Sequence, residues 1–125
     1  PIFRYADILL TKAEAIVRGA SETNGETALS LFNQIRSYAG APTLTATPTL
    51  KDILDERGRE FLDEHWRRND MIRFGTFESD FGFHRKSFVD IKGNIIANFD
   101  KTRRIFPIPT GVLNNNTNWK QNAGY

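Results

Sequence analysis

Apolar residues recur every three or four positions through the first three-fifths of the chain, and the pattern predicts helices. Phe3, Ala6, Leu9, Leu10, Ala13, Ile16 and Val17 trace one helical face from the very start. A turn cluster at 20–25 (ASETNG) follows, after which Ala28, Leu31, Phe32, Ile35, Tyr38 and Ala39 repeat the period. Gly40 is placed to close this second helix, and Pro42 and Pro48 bracket a Thr-rich loop that offers little for packing. Thr49 restarts a helix, with Asp52 three residues on as a weaker form of the capping box, and Leu50, Ile53, Leu54 and Phe61 continue the stripe. Arg57 and Gly58 interrupt that stripe, and Gly58 in a helix interior costs roughly 1 kcal/mol relative to Ala, which points to a neighbouring helix in close approach. A fourth helix is predicted from about Trp66 to Phe74, with Gly75 as its stop.

Two helical hairpins within some 75 residues predict a mainly α fold of tetratricopeptide-like (TPR-like) hairpins, although the two halves do not repeat each other cleanly. Beyond Gly75 the period is lost. Residues 76–88 are rich in Phe, Gly and charge, and 88–99 fit a small β-hairpin across Gly93 and Asn94. In Phe106-Pro107-Ile108-Pro109 each proline fixes its own φ and biases the preceding residue away from the helical region. The tail is therefore expected to be extended and irregular, without helix, with Trp119 and Tyr125 as anchors onto the helices. The expected division is 1–75 as helical scaffold and 76–125 as loop, hairpin and packed tail.

Composition changes this picture little. The 125 residues carry 39% hydrophobic and 26% charged side chains, ordinary values for one globular domain. Lys and Arg outnumber Asp and Glu by 17 to 15 without a block of like charge, so nucleic acid is not an indicated partner. No run of 18 apolar residues occurs, and the absence of cysteine excludes disulfides and thiol chemistry. Pro1 stands where an initiator Met is expected, and an apolar helix begins at once, so the chain reads as a fragment. If Phe3, Leu9, Leu10 and Ile16 pack on helices outside it, the chain alone is expected to be poorly soluble or oligomeric.

Chemistry concentrates in the run 56–75, ERGREFLDEHWRRNDMIRFG. Leu62, Trp66, Ile72 and Phe74 need a core, while charged residues are interleaved with them at contact spacing. Glu56, Arg57, Glu60, Glu64, Arg67, Asp70 and Arg73 are read as a structural ion-pair network that orients the third and fourth helices. Glu60 and Glu64, four apart on one predicted helical face, resemble an acid and base pair for glycoside hydrolysis. The arginines at 57, 59, 67 and 68 argue against it, since they favour ionised carboxylates and a general acid needs its proton. His65 beside Asp63 and Glu64 lacks the spacing of a metal site, and no cofactor or metal is expected. His84, Arg85 and Lys86, in a polar Phe-rich loop, are the candidate ligand contacts, set against the alternative of a solvated loop. Trp66 and Trp119 have the composition of sugar-stacking platforms, but core positions are the commoner use of such residues. Asn115-Asn116-Thr117 matches an N-glycosylation sequon, a short pattern of little weight by itself.

A resemblance ties these segments together. RYADILL followed by AEA (4–15), IRSYAG (35–40), DERGREF (55–61), EHWRRNDMIRFG (64–75), and FPIP (106–109) with NWKQNAGY (118–125) stand in the order found in the C-terminal part of SusD/RagB-type proteins. Departures fall at His65, where the family often has Gly, and at Thr117 and Ala123, where it usually has Pro. The resemblance implies one larger SusD-like domain whose N-terminal portion is absent. It implies a non-enzymatic, outward-facing lipoprotein of the Bacteroidetes outer membrane, lipid-anchored through that absent N-terminus. Such a protein binds oligosaccharides and hands them to a TonB-dependent, SusC-like transporter. A TPR-like protein-interaction module that does not bind glycans is the alternative.

Overall fold

The computed structural model describes residues 3–78, 87–89, 95–97 and 101–125, and the chain divides into two compact units, 1–74 and 75–125. The fold is mainly helical. In the first unit α1 (Tyr5–Val17) packs against α2 (Ala28–Tyr38) and α3 (Leu50–Glu60), and α3 packs against α4 (Arg67–Arg73), giving the TPR-like succession of helical hairpins.

Local chemistry sets each helix end. Thr27 caps α2 and Thr49 caps α3 through full capping boxes, closed by Ser30 and Asp52 respectively. The Thr49 amide donates to Asp52 Oδ2 at 2.8 Å, and Thr49 Oγ1 accepts from the Asp52 amide at 3.2 Å. The α2 terminus is a Schellman turn: Gly40 adopts φ 67°, its amide donates to Ser37, and the Ala41 amide donates to the Arg36 carbonyl. A side chain at that φ would be strained, which is why glycine stands there.

The core is a single cluster of Leu9, Leu10 and Ala13 from α1, Ala28, Leu31, Phe32 and Ile35 from α2, and Ile53 and Phe61 from α3 and its end. Burying a side chain of this size is worth about 1.5–3 kcal/mol. Leu9 and Leu10 thus find their partners inside this chain, contrary to the expectation that they pack on helices outside it. Phe3 differs. It is exposed and rests against Trp66, with ring centroids 5.9 Å apart.

The Thr-rich loop also packs better than its composition predicts. Pro48 is buried and Leu44 lies against the core. The Asn33 side chain brackets Leu44, donating to its carbonyl and accepting from its amide at 2.8 Å each, as a strand partner would. Two apolar residues fall outside their expected places. Leu62 is 74% exposed because α3 ends at Glu60 and a turn over 61–65 takes its place on the helical stripe. Tyr38, 94% exposed, sits at the last residue of α2 beyond the reach of the core.

In the second unit β1 (Ser87–Val89) pairs antiparallel with β2 (Ile95–Ala97), Phe88 standing opposite Ile96; the turn expected at Gly93 and Asn94 lies outside the described residues. A 3-10 turn at Lys101–Arg104 follows, and Arg104 Nη2 donates to Glu78 Oε2 at 2.8 Å, holding that carboxyl below its ordinary range. The 106–109 stretch is without regular structure, as its prolines dictate. The tail is not free of helix, however: α5 (Thr110–Asn115) starts where Pro109, at φ −56° and ψ 136°, turns its carbonyl to accept from the amides of Val112 and Leu113. Pro107 and Pro109 forbid helix before that point but favour its initiation after it. Trp119 is 53% exposed.

Two outcomes are expected. Asp52 accepts hydrogen bonds from the Thr49 hydroxyl and amide, which lower its pKa, so its contribution exists above the ordinary carboxylate range and is lost as pH falls through the depressed value. Thr49→Ala should therefore lower unfolding free energy by about 1 kcal/mol at neutral pH in urea titrations, with the deficit shrinking in acid. His65 holds φ 64°, a left-handed conformation costly to a residue with a Cβ. His65→Gly should raise stability by about 0.5 kcal/mol, the strain relieved exceeding the chain entropy added.

Candidate functional site

The charged residues of the first unit assemble around one guanidinium. Arg57, in the last turn of α3, is only 2% exposed and spends its donors on two other helices. Its Nε donates to Asp70 Oδ2 on α4 at 2.9 Å, and its Nη1 to Asp7 Oδ1 on α1 at 2.7 Å. From Asp70 the chain of contacts continues: Oδ1 accepts from Arg73 Nη2 at 3.0 Å, and Arg73 Nη1 donates to Glu14, back on α1. Arg18 Nε closes on the same Glu14 at 2.8 Å. Asp7 and Glu14 are seven residues, about two turns, apart and share one face of α1. The result is a closed circuit that leaves α1, crosses α3 and α4, and returns to α1.

Two satellites attach to it. Arg4, ahead of α1, donates to Glu60 Oε1 and to the Glu60 carbonyl at 2.6 Å each, and binds Glu64 Oε1 at 2.8 Å. Its hydrogen bonds to Glu64, then Glu60, raise its pKa. Buried Glu56 receives Arg36 Nη1 from α2 at 2.7 Å and Arg59 Nη2 at 2.6 Å on the same oxygen. Charge balances throughout, with Asp7, Glu14, Glu56, Glu60, Glu64 and Asp70 facing Arg4, Arg18, Arg36, Arg57, Arg59 and Arg73. Aromatic rings fill the space between cations. Phe61 has Arg4 and Arg57 within 4.9 Å of its centroid, and Phe74 has Arg73 at 4.9 Å and Arg18 at 5.0 Å. Burial opposes the charge on Arg73, but its hydrogen bonds to Glu14 and Asp70 prevail and its pKa is raised.

Among the residues singled out from sequence, Arg57, Asp70 and Arg73 meet directly. Glu60 and Glu64 meet through Arg4, whereas Glu56 pairs with Arg36 and its near neighbour Arg59. Arg67 does something different. Its Nη1 donates to the Leu54 carbonyl at 2.8 Å, passing over Gly58, where a Cβ would lie 2.8 Å from that nitrogen. Gly58 thus admits the Arg67 side chain of α4, where its position predicted the close approach of a neighbouring helix. Asp7, Glu14, Arg4 and Arg36 were not legible as members of the network. A signal existed in α1, where Glu14 lies on the stripe of Leu10, Ala13 and Val17, a place where only a paired carboxylate is tolerated.

Chemically this arrangement positions helices. Glu64 lies past the end of α3, so it does not share a helical face with Glu60, and Arg4 donates to both. His65 is exposed. His84, Arg85 and Lys86 lie outside the described residues. No group of three or more His, Cys, Asp and Glu among the described residues could hold a metal ion, and no helix among them is long and apolar enough to cross a membrane. A shallow cleft of about 340 Å³ opens beside the network, lined by Arg36, Ala39, Ala41, Glu56, Arg59 and Glu60.

Comparison with known proteins gives the chain a family. The model of the SusD family matches residues 1–125, all of the chain. The chain belongs to the SusD family. It is 35% identical over its whole length to the starch-binding protein SusD of Bacteroides thetaiotaomicron, and 31% identical over 99% of its length to the SusD-like protein P38 of Formosa agariphila. It spans 21% and 24% of those two relatives, so it corresponds to between a fifth and a quarter of a SusD-family protein. Arg4, Asp7 and Glu14 fall within the first segment that carried the resemblance, and Arg57, Asp70 and Arg73 within two others. The segments that mark this SusD-family chain are thus the ones its ion pairs join.

Asp70→Ala should lower the unfolding free energy by about 3–5 kcal/mol in denaturant titrations, because it leaves Arg57 buried without one of its carboxylates. Replacing both partners together, Arg57→Met with Asp70→Leu, should cost clearly less than the sum of the single changes.

Proposed function

We propose that this chain is the C-terminal portion of a cell-surface carbohydrate-binding protein that captures oligosaccharides for import. The observation that carries the reading is the 35% identity, over the whole of the chain, to a protein named for binding starch. In this reading both units belong to one larger SusD-like domain, and the first contributes scaffold, the ion-pair circuit fixing the helices on which more distant binding residues are arranged. Glu56, Arg57, Glu60, Glu64, Arg67, Asp70 and Arg73 are structural. His84, Arg85 and Lys86 are the candidates within this chain for contact with a glycan.

The whole protein sits outward-facing on the outer membrane, lipid-anchored, and passes its ligand to a TonB-dependent, SusC-like transporter. Its action is binding without hydrolysis. Support comes from Glu60 and Glu64, the pair weighed as acid and base, which both accept from Arg4.

Calorimetry on the full-length protein with a panel of neutral oligosaccharides, maltoheptaose among them, tests this. Saturable heat with at least one glycan, and no new reducing ends over hours, is the expected result. Silence across the panel, together with stoichiometric capture of a polypeptide partner, would instead establish a TPR-like protein-interaction module.

A further inference from the structure

The turn between α1 and α2 holds a dipeptide that occurs nowhere else in the chain. Asn24 is the only asparagine followed by glycine. Asn24 and Gly25 are the central residues of a tight turn, at φ 58° and 72°, in which the Glu26 amide donates to the Thr23 carbonyl at 3.1 Å. Two left-handed residues in succession mark the type I′ geometry, for which Asn-Gly is a preferred pair.

What this turn leaves unbonded carries the chemistry. Neither the Asn24 carboxamide nor the Gly25 amide hydrogen has a hydrogen-bond partner among the described residues. Gly25 lacks a Cβ, and beyond its chain neighbours no atom lies within 4 Å of where one would stand. A Cβ at that place would crowd any approach of the Gly25 nitrogen to the Asn24 side chain, and its absence leaves the approach open. Restraint comes from α1 instead. Lys12 Nζ donates to the Thr23 carbonyl at 3.3 Å and pairs with the Glu26 carboxylate, so one ammonium clasps both ends of the turn.

We propose that Asn24 is a site of spontaneous deamidation whose rate Lys12 sets. The Gly25 nitrogen gives its proton to a solvent base and attacks Asn24 Cγ. A bond forms between them, the Cγ–Nδ2 bond breaks, and the proton is returned as ammonia leaves. The five-membered succinimide then takes up one water. Opening at the Cγ–N bond gives aspartate, and opening at the bond from the Asn24 carbonyl carbon to the same nitrogen gives isoaspartate. Amide and water become acid and ammonia, with nothing oxidised or reduced. Either product is ionised at neutral pH and adds a negative charge two residues from Glu26. Isoaspartate also routes the main chain through Cβ and Cγ, which lengthens the turn and breaks the pairing of Thr23 with Glu26. Ring closure rotates the 24–25 peptide, which the closed turn resists, so the reaction draws on the open turn and the Lys12 clasp governs how often that is populated. The inference rests neither on family membership nor on glycan binding.

Peptide mapping of the full-length protein, folded and kept warm at neutral pH, with electron-transfer fragmentation to separate aspartate from isoaspartate, tests this. Conversion at Asn24 should outpace that at Asn115 and Asn118, exposed residues followed by Asn and Trp, by about tenfold or more, with both products present. Lys12→Met should speed conversion at Asn24 severalfold. Conversion at Asn24 no faster than at Asn115 or Asn118 would overturn the site. So would conversion that begins only after unfolding in urea, which would mean that other parts of the polypeptide cover the turn. A Lys12→Met rate equal to the native one would overturn the part assigned to Lys12.

Discussion

A charged guanidinium inside a helical core is the constraint on which the first unit depends. Arg57 is tolerable at 2% exposure only because Asp7 and Asp70 reach it from two other helices, so its burial dictates where α1 and α4 lie relative to α3. Hydrophobic contact alone would leave that arrangement loosely specified, since a Leu or Ile stripe slides at little cost, whereas a fork of donors does not. The circuit through Arg73 and Glu14 returns to α1 two turns further along, so α1 is held at two points and its rotation about its own axis is fixed.

The remaining features serve this geometry. Gly58 removes a Cβ so that Arg67 can cross α3 and satisfy the Leu54 carbonyl. The turn over 61–65 lets Glu64 reach Arg4, with Asp63 and His65 both in the left-handed region to make the reversal. Phe61 and Phe74 place aromatic faces between pairs of arginines, so that cations of like sign sit beside π density instead of beside one another. Strain at His65 is the local cost of a turn that the salt bridge requires.

How much of this the sequence disclosed depends on the range of the interaction. Helix periods, the Thr49 and Asp52 cap and the Gly40 stop are local, and each is visible in a few consecutive residues. The density of opposite charges in 56–75 was visible too, but their partners were not, because Arg57 to Asp7 and Arg73 to Glu14 join positions 50 and 59 residues apart. Periodicity reports which face is apolar and is silent on which carboxylate meets which arginine. Leu62 was misplaced for the complementary reason: hydrophobicity predicts burial only where an element carries the side chain inward, and it lies in a turn. No glycan site was legible in the residues themselves: the three candidates, His84, Arg85 and Lys86, share no pattern that geometry would require, and they lie outside the described residues.

The central claim is that this network holds the scaffold and takes no part in ligand chemistry. Proton exchange at the Arg57 Nε–H, followed by NMR in the protein with and without a saturating oligosaccharide, addresses both halves at once. A slowly exchanging signal, unchanged in shift and rate when glycan is added, is the predicted result. Exchange as fast as that of a solvent-exposed arginine, or a shift that tracks glycan occupancy, would contradict it.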